Sequence, residues 1–323
     1  MSRRKSPFVL QKHAPPLMAL FAEAVEWATS QSRIDMQPPG HIAVEPRDRG
    51  GRYAYWVRYG PASKLQRQYL GAAGSEKHLE TVAALDGLKR IKEQAKNLRK
   101  LGFEAVEHDA ALVIAELCNA GIFTGGGILI GTRAFGSILN HLGYRATPFL
   151  GTQDVDIARL KAIKLATPLP AGGFAELLLV PGRLSSKPYS VVPVPELDAH
   201  ATTLPFLDYL IGDSWQTIIV GRDHLIPVRC PQPARYCLHK LVVASLRSGL
   251  ENPKIEKDLV QAGILAAILH EEDPGAIDEA ADALSAAMVK HARKSFPRIE
   301  KLLAGEFPAA LEMLRGVINS TKD

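Results

Sequence analysis

Two aspartates one residue apart, Asp154 and Asp156, lie in the apolar segment QDVDIA (153–158), downstream of a Gly-Thr pair, Gly131 and Thr132. Side chains alternate faces along a strand, so the two carboxylates project to one side while Val155 and Ile157 turn toward a core. Paired carboxylates repel unless a cation sits between them, and a hard divalent ion with oxygen ligands, such as Mg2+, suits them. A Gly-Thr pair at the start of a helix suits a phosphate, because the backbone N–H groups are free there and the helix dipole is positive. A phosphate cradle beside a two-carboxylate metal site is the equipment of phosphoryl or nucleotidyl transfer. A lone D-x-D also marks solvated strand edges and turns; the strand–Gly-Thr–helix–strand context is what favours the metal.

The elements that must position these groups follow from local pattern. Ile128–Ile130 is a short apolar strand after the turn glycines 125–127, and residues 133–142 show helical spacing ended by Gly143, which accepts a left-handed backbone. A looping link then leads to a strand over 153–158. The chain has no G-x-x-x-x-G-K-[ST] loop and no dinucleotide fingerprint. Residues 174–180 (FAELLLV) form an apolar strand with one acid, Glu176, whose burial requires a metal or cation nearby unless that side chain faces water. Residues 193–211 read as a loop and a short element, and 216–220 with 225–230 as a hairpin around GRDH. Pro231 and Pro233 stop the second strand and a helix begins near Ala234. Arg235, His239 and Lys240 cluster near its first turns, where they can face a triphosphate or serve packing and capping.

The flanks differ in character. Residues 15–30 spell an amphipathic helix behind Pro15-Pro16. Residues 41–45, 52–59 and 64–70 alternate with period two and form a small antiparallel sheet rich in tyrosine and arginine, a pattern of sheet packing that can also stack single-stranded nucleic acid. Residues 76–101 form a long helix with Leu85, Leu88, Ile91, Leu98 and Leu101 on its apolar side and a basic opposite side; another helix spans about 108–120. After residue 250 three further stretches, the last opening at Pro297, carry apolar residues at three- and four-residue spacing and form a helical bundle.

The 323-residue chain is 46% hydrophobic and 23% charged, ordinary for a globular protein, with a formal net charge of +5. Residues 1–110 hold 18 Lys and Arg against 12 Asp and Glu, and the remainder 21 against 22, so the basic excess lies in the first third. No apolar run approaches the ~20 residues of a membrane span. The N-terminus lacks the apolar stretch of a signal peptide, and Cys118, Cys230 and Cys237 form no disulfide or metal pattern; both point to a cytoplasmic protein with reduced thiols.

Together, the segments GILIGTRAF (127–135), TQDVDIA (152–158), FAELLLVPG (174–182), LPFLDYLI (204–211), PQPARYCLHKL (231–241) and KIEKDLVQA (254–262) resemble the polymerase-β-like nucleotidyltransferase superfamily. They look like its bacterial branch labelled nucleotidyltransferase-fold protein, distantly similar to AbiEii-type and minimal nucleotidyltransferases. The resemblance implies an α/β (α+β) fold: an N-terminal β-hairpin and helix region (1–107), a nucleotidyltransferase core with a mixed sheet (108–230) and a C-terminal helical domain (231–323). It implies an Mg2+-dependent enzyme moving a nucleoside monophosphate from an NTP to an acceptor hydroxyl, on RNA, protein or a small molecule. Asp154, Asp156 and Glu176 would be catalytic and hold two Mg2+ ions, with Mn2+ an alternative. Gly131, Thr132, the adjoining Arg133, Arg235, His239 and Lys240 would hold the nucleotide. Thr132 stands where serine is usual. The path from Asp156 to Glu176 is short for the superfamily, and Glu replaces Asp, which keeps a second reading open: an inactive nucleotidyltransferase fold that binds nucleotide or nucleic acid. The distant relatives add a third, a toxin of a toxin–antitoxin or phage-defence pair.

Overall fold

The computed structural model describes residues 8–36, 39–47, 50–60, 64–148, 156–158, 178–181, 191–194, 199–247 and 252–320. The chain opens with β1 (Val9–Lys12) and α1 (Pro15–Ser30), whose first two positions are prolines, where the missing N–H costs nothing. A meander follows: β2 (His41–Pro46), β3 (Arg52–Tyr59) and β4 (Leu65–Ala72), all antiparallel. The long helix α2 (Glu76–Lys100) and α3 (His108–Asn119) lead to β5 (Ile128–Ile130), α4 (Gly131–Leu142) and β6 (Tyr144–Thr147). Then come β7 (Asp156–Ala158), β8 (Leu178–Pro181), β9 (Val191–Val194), β10 (Ala199–Leu204) and the one-turn α5 (Leu207–Ile211). The hairpin β11 (Ser214–Val220) and β12 (Leu225–Pro231) precedes five helices: α6 (Pro233–Leu246), α7 (Pro253–Glu272), α8 (Pro274–Asp282), α9 (Ala286–Leu303) and α10 (Pro308–Ser320).

The described residues thus form a mixed α+β architecture. Its largest sheet has the order β5-β7-β8-β10-β9. β7, β8 and β10 run parallel, and the two edge strands, β5 and β9, run antiparallel to their neighbours. Parallel neighbours need crossover chain between them, whereas antiparallel ones need only a turn.

Several elements depart from the sequence expectation, among them β10, which occupies part of the stretch read as a loop before α5. The link after α4 is not all loop: β6 pairs antiparallel with β1, Val9 opposite Thr147 and Lys12 opposite Tyr144. Each strand has four residues, too few for period two to register, and the partner lies more than a hundred residues away. The bundle boundaries also shift. Pro297 does not start a helix but sits inside α9, and the second expected helix divides into α8 and the beginning of α9. A proline gives up its own backbone donor to the preceding turn, yet the packing of Met288, Val289, Ala292, Ile299 and Leu303 holds the helix on both sides of it. Leu101, expected on the apolar side of α2, is exposed just past the helix end.

The main core joins α3, β5, α4 and the five C-terminal helices. Ile114, Leu129, Phe135, Ile138, Tyr236, Leu265 and Leu303 are all fully or almost fully buried within it. Each such side chain stabilises the fold by about 1.5–3 kcal/mol before entropy is counted. A second cluster sets Phe21, Ala24 and Ala28 of α1 against Ile91, Ala95 and Leu98 of α2 and the inner residues of the hairpin, Ile218, Val220 and Leu225.

Candidate functional site

β5 and α4 meet without a loop. Ile130 is the last strand residue, and Gly131 turns the chain with φ of 69°. Glycine takes that left-handed conformation freely, while any residue with a Cβ is strained there. Tyr236 of α6 fixes the turn from below: its hydroxyl donates to the Gly131 carbonyl at 2.8 Å. The helix is then buried from Thr132 through Asn140. A helix surrounded on all sides must have its polar groups satisfied, and most are. Ser137 donates to the Ile218 carbonyl of β11 at 2.9 Å. Asn140 exchanges two hydrogen bonds with the Glu104 backbone, at 2.7 and 2.8 Å. Gly143 closes the helix at φ 79°, as its position in the sequence predicts.

Ile130, at the N-cap position of α4, has no side-chain group that could cap the helix. Its first backbone N–H groups lack intrahelical partners and carry the positive end of the dipole. Thr132, in this first turn, is 3% exposed, and its hydroxyl accepts a hydrogen bond from the Lys257 ammonium of α7 at 3.0 Å. An ammonium group therefore stands beside the positive end of the helix dipole. Lys257 was not singled out in the sequence; its segment, KIEKDLVQA, carried only part of the resemblance.

β7 lies directly beside this turn. It pairs antiparallel with β5, Ala158 opposite Ile128, Ile157 opposite Leu129 and Asp156 opposite Ile130. Asp156 thus stands across from the residue before Gly131, at the end of the strand pair where α4 begins. Asp154 and Glu176 lie outside the described residues. The strand that Glu176 was expected to share is described only from Leu178, where β8 runs parallel to β7 with Leu178 opposite Ile157.

The remaining sequence candidates all have partners within the protein. Arg133, 4% exposed, forms a 2.5 Å ion pair with Glu107 just before α3, and its Nε has no hydrogen-bond partner among the described residues. Burial opposes the Glu107 charge, but its own backbone N–H and Arg133 outweigh that and hold its pKa below the usual carboxylate value. Arg235 donates to the Tyr209 carbonyl at 2.9 Å with its guanidinium 5.1 Å from the Tyr209 ring, which ties α6 to α5. His239 is buried, its Nε2 3.2 Å from the Pro205 carbonyl, and burial pushes its pKa down to about 4, so the ring is neutral at pH 7. Lys240 donates to Asp258 at 2.7 Å, and Arg247 donates to the other oxygen of the same carboxylate at 2.6 Å. Asp258 itself is fully buried. Burial raises its pKa, yet the two cations outweigh that and hold it below the ordinary value; for Lys240, Tyr236 and Asp258 outweigh burial and raise its pKa.

Among the described residues the site therefore gathers a glycine turn, a helix N-terminus, a threonine, a lysine and the end of the strand that Asp156 opens. Arg235 and His239 are directed to α5 and the chain just before it. Lys240 ends on Asp258, whereas Lys257, the residue before it on α7, reaches the helix end. Such an arrangement can receive the negative charge of a phosphate group. Among the described residues no group of three or more His, Cys, Asp or Glu side chains could hold a metal ion, and no helix is long and apolar enough to cross a membrane.

The family model that matches the chain is described as Nucleotidyltransferase. It matches residues 108–179 and, overlapping, 172–285, from the start of α3 to the end of α8 and beyond, more than half of the chain. No curated protein and no solved structure matches.

Proposed function

The chain belongs to the nucleotidyltransferase family, and from that premise we propose that it moves a nucleoside monophosphate from an NTP to an acceptor hydroxyl. The observation that carries the reading is the pairing of Asp156 with Ile130, which sets the aspartate strand against the turn that opens α4. On this reading the turn into α4 is the phosphate cradle and the aspartate segment the carboxylate source, distant in sequence and joined by the β5–β7 pairing that supports the proposal.

In this reading the acceptor oxygen attacks the α-phosphorus, the bond from that phosphorus to the bridging oxygen breaks, and pyrophosphate departs. The first-turn N–H groups of α4, with Lys257 beside Thr132, face the negative charge of the triphosphate. Gly131 lets the backbone come close, and Tyr236 keeps the turn in place. Asp154 and Asp156 would hold Mg2+; carboxylate oxygens are the donors that ion prefers, and residues two apart would supply two of them on one side if the extended run begins at Asp154. Bound there, Mg2+ would neutralise charge on the attacking and leaving oxygens. Glu176 would complete the carboxylate set and accept the acceptor's proton. Arg133, Arg235, His239 and Lys240 would act by holding α3, α5 and α7 around the cradle.

Full-length protein incubated with each α-labelled NTP, Mg2+ and a cell extract should yield a labelled product. Asp154→Ala and Asp156→Ala should each abolish the label while leaving the thermal transition in place. Labelling that persists in both variants excludes this site.

A further inference from the structure

Beyond Asp258, away from α4, the end of α6, the start of α7 and the middle of α9 enclose a groove of about 220 Å³. Ser245, Arg247, Ile255, Lys294, Ser295 and Arg298 line it. Three of these are cations, and no carboxylate lines the groove among the described residues. Asp258, which holds Arg247 and does not itself line the groove, serves two cations, Lys240 and Arg247.

Arg247 is presented with fixed geometry. Its Nε donates to Asp258, and only that nitrogen is engaged in hydrogen bonding among the described residues, which leaves the two terminal nitrogens of the guanidinium for the groove. Lys294 and Arg298 on α9 are exposed, and among the described residues neither has an ion pair or hydrogen bond. Lys290 extends their row by one turn. Residues four apart share a helix face and rise about 6 Å per step, so the cations form a line along α9. The neighbouring ring of His291 experiences the same field: burial lowers its pKa first, and Lys294 and Lys290 lower it further.

Lys294 and Arg298, beside an Arg247 whose charge Asp258 already shares with Lys240, repel one another across the concavity, and the arrangement becomes favourable when an anion enters. A single phosphate would need only the groove. A row that continues past it along α9 fits a repeated anion. We propose that this groove and the α9 row bind the phosphodiester backbone of a nucleic-acid strand. Binding stands on the groove alone; that the bound strand is the acceptor rests on the transfer reading above.

The test uses the full chain and fluorescein-labelled oligouridylate and oligothymidylate, followed by fluorescence anisotropy over a range of salt concentrations. Lys294→Glu with Arg298→Glu should weaken binding about ten-fold or more at low salt and flatten the salt dependence, as expected when phosphate contacts are lost. Lys294→Arg with Arg298→Lys should bind as the native chain does. Both positions are exposed, so the thermal transition should stay in place. Preference for one oligonucleotide identifies RNA or DNA as the strand. The inference is overturned if the native chain binds neither oligonucleotide, or if the charge-reversed protein binds both within two-fold of native. Asp156→Ala separates the two ideas: it should leave oligonucleotide affinity intact while removing nucleotidyl transfer.

Discussion

The Lys257 ammonium lies 3.0 Å from the Thr132 hydroxyl, so α7 of the C-terminal bundle delivers a positive charge to the first turn of α4. The next residue, Asp258, is buried and anchored by Lys240 and Arg247, which fixes the helix from which Lys257 projects. One short stretch of α7 thus contains both a structural ion cluster and the cation at the helix end.

Replacing Lys257 by Met should raise KM for the NTP by about ten-fold or more, the scale of a lost charge-assisted hydrogen bond, with Lys257→Arg recovering part of the loss. Steady-state kinetics on the transfer reaction measure this. Because Lys257 is only half-buried, its removal should leave the urea midpoint close to native. A large fall in stability with unchanged KM would make Lys257 a packing residue.

Gly131→Ala forces a Cβ into a left-handed backbone at φ 69°. The strain should destabilise the fold by about 1–2 kcal/mol and shift the start of α4, with a loss of activity larger than the stability change alone explains. Urea denaturation alongside transfer kinetics at a temperature where the variant is fully folded separates the two effects.

Asp258→Ala leaves Lys240 and Arg247 without their shared carboxylate in a mostly buried setting. Breaking such a cluster from one side should cost about 3–5 kcal/mol, although Lys240 retains the Tyr236 ring at 5.2 Å. Equilibrium denaturation provides the figure, and a change under ~1 kcal/mol would mean that water reaches the site more freely than its burial indicates.

Acid should weaken the fold before the carboxylates titrate. Burial holds the His239 pKa at about 4, below the 6.5 of an unfolded histidine. Between those values the unfolded chain takes up the proton more readily, so stability is whole above about pH 6.5 and falls as pH drops toward 4. The difference corresponds to about 3 kcal/mol for this one ring. His13, His141, His224 and His291 are shifted down as well, each chiefly by burial, and steepen the trend. Urea midpoints measured across this pH range should fall steadily, and His239→Gln should flatten the slope; an unchanged slope would assign the effect to the other rings.

Much of the fold is legible in the residues themselves. The spacing of apolar residues marks α1 and α2 to within a residue, the alternation of 52–59 gives β3, and the GRDH turn between apolar runs gives the β11–β12 hairpin. Gly143 announces the end of α4. These signals survive because helix caps, turns and periodic faces depend on residues a few positions apart, and their energetics are set before the chain is packed.

The sequence also determined the chemistry on offer: a glycine-led helix after a strand, and two aspartates two positions apart in a segment of which Asp156 opens a described strand. What only the tertiary structure decided is which groups meet. Nothing local distinguishes Lys257 from Lys254 on the same helix, or says that Asp258 takes both Lys240 and Arg247 while His239 turns to Pro205. Nor does any local pattern pair β1 with β6, or set Asp156 opposite Ile130. Those contacts join residues separated by tens to more than a hundred positions. Their strength comes from removing charges and backbone groups from water together, and that condition exists only once the whole core has closed around them.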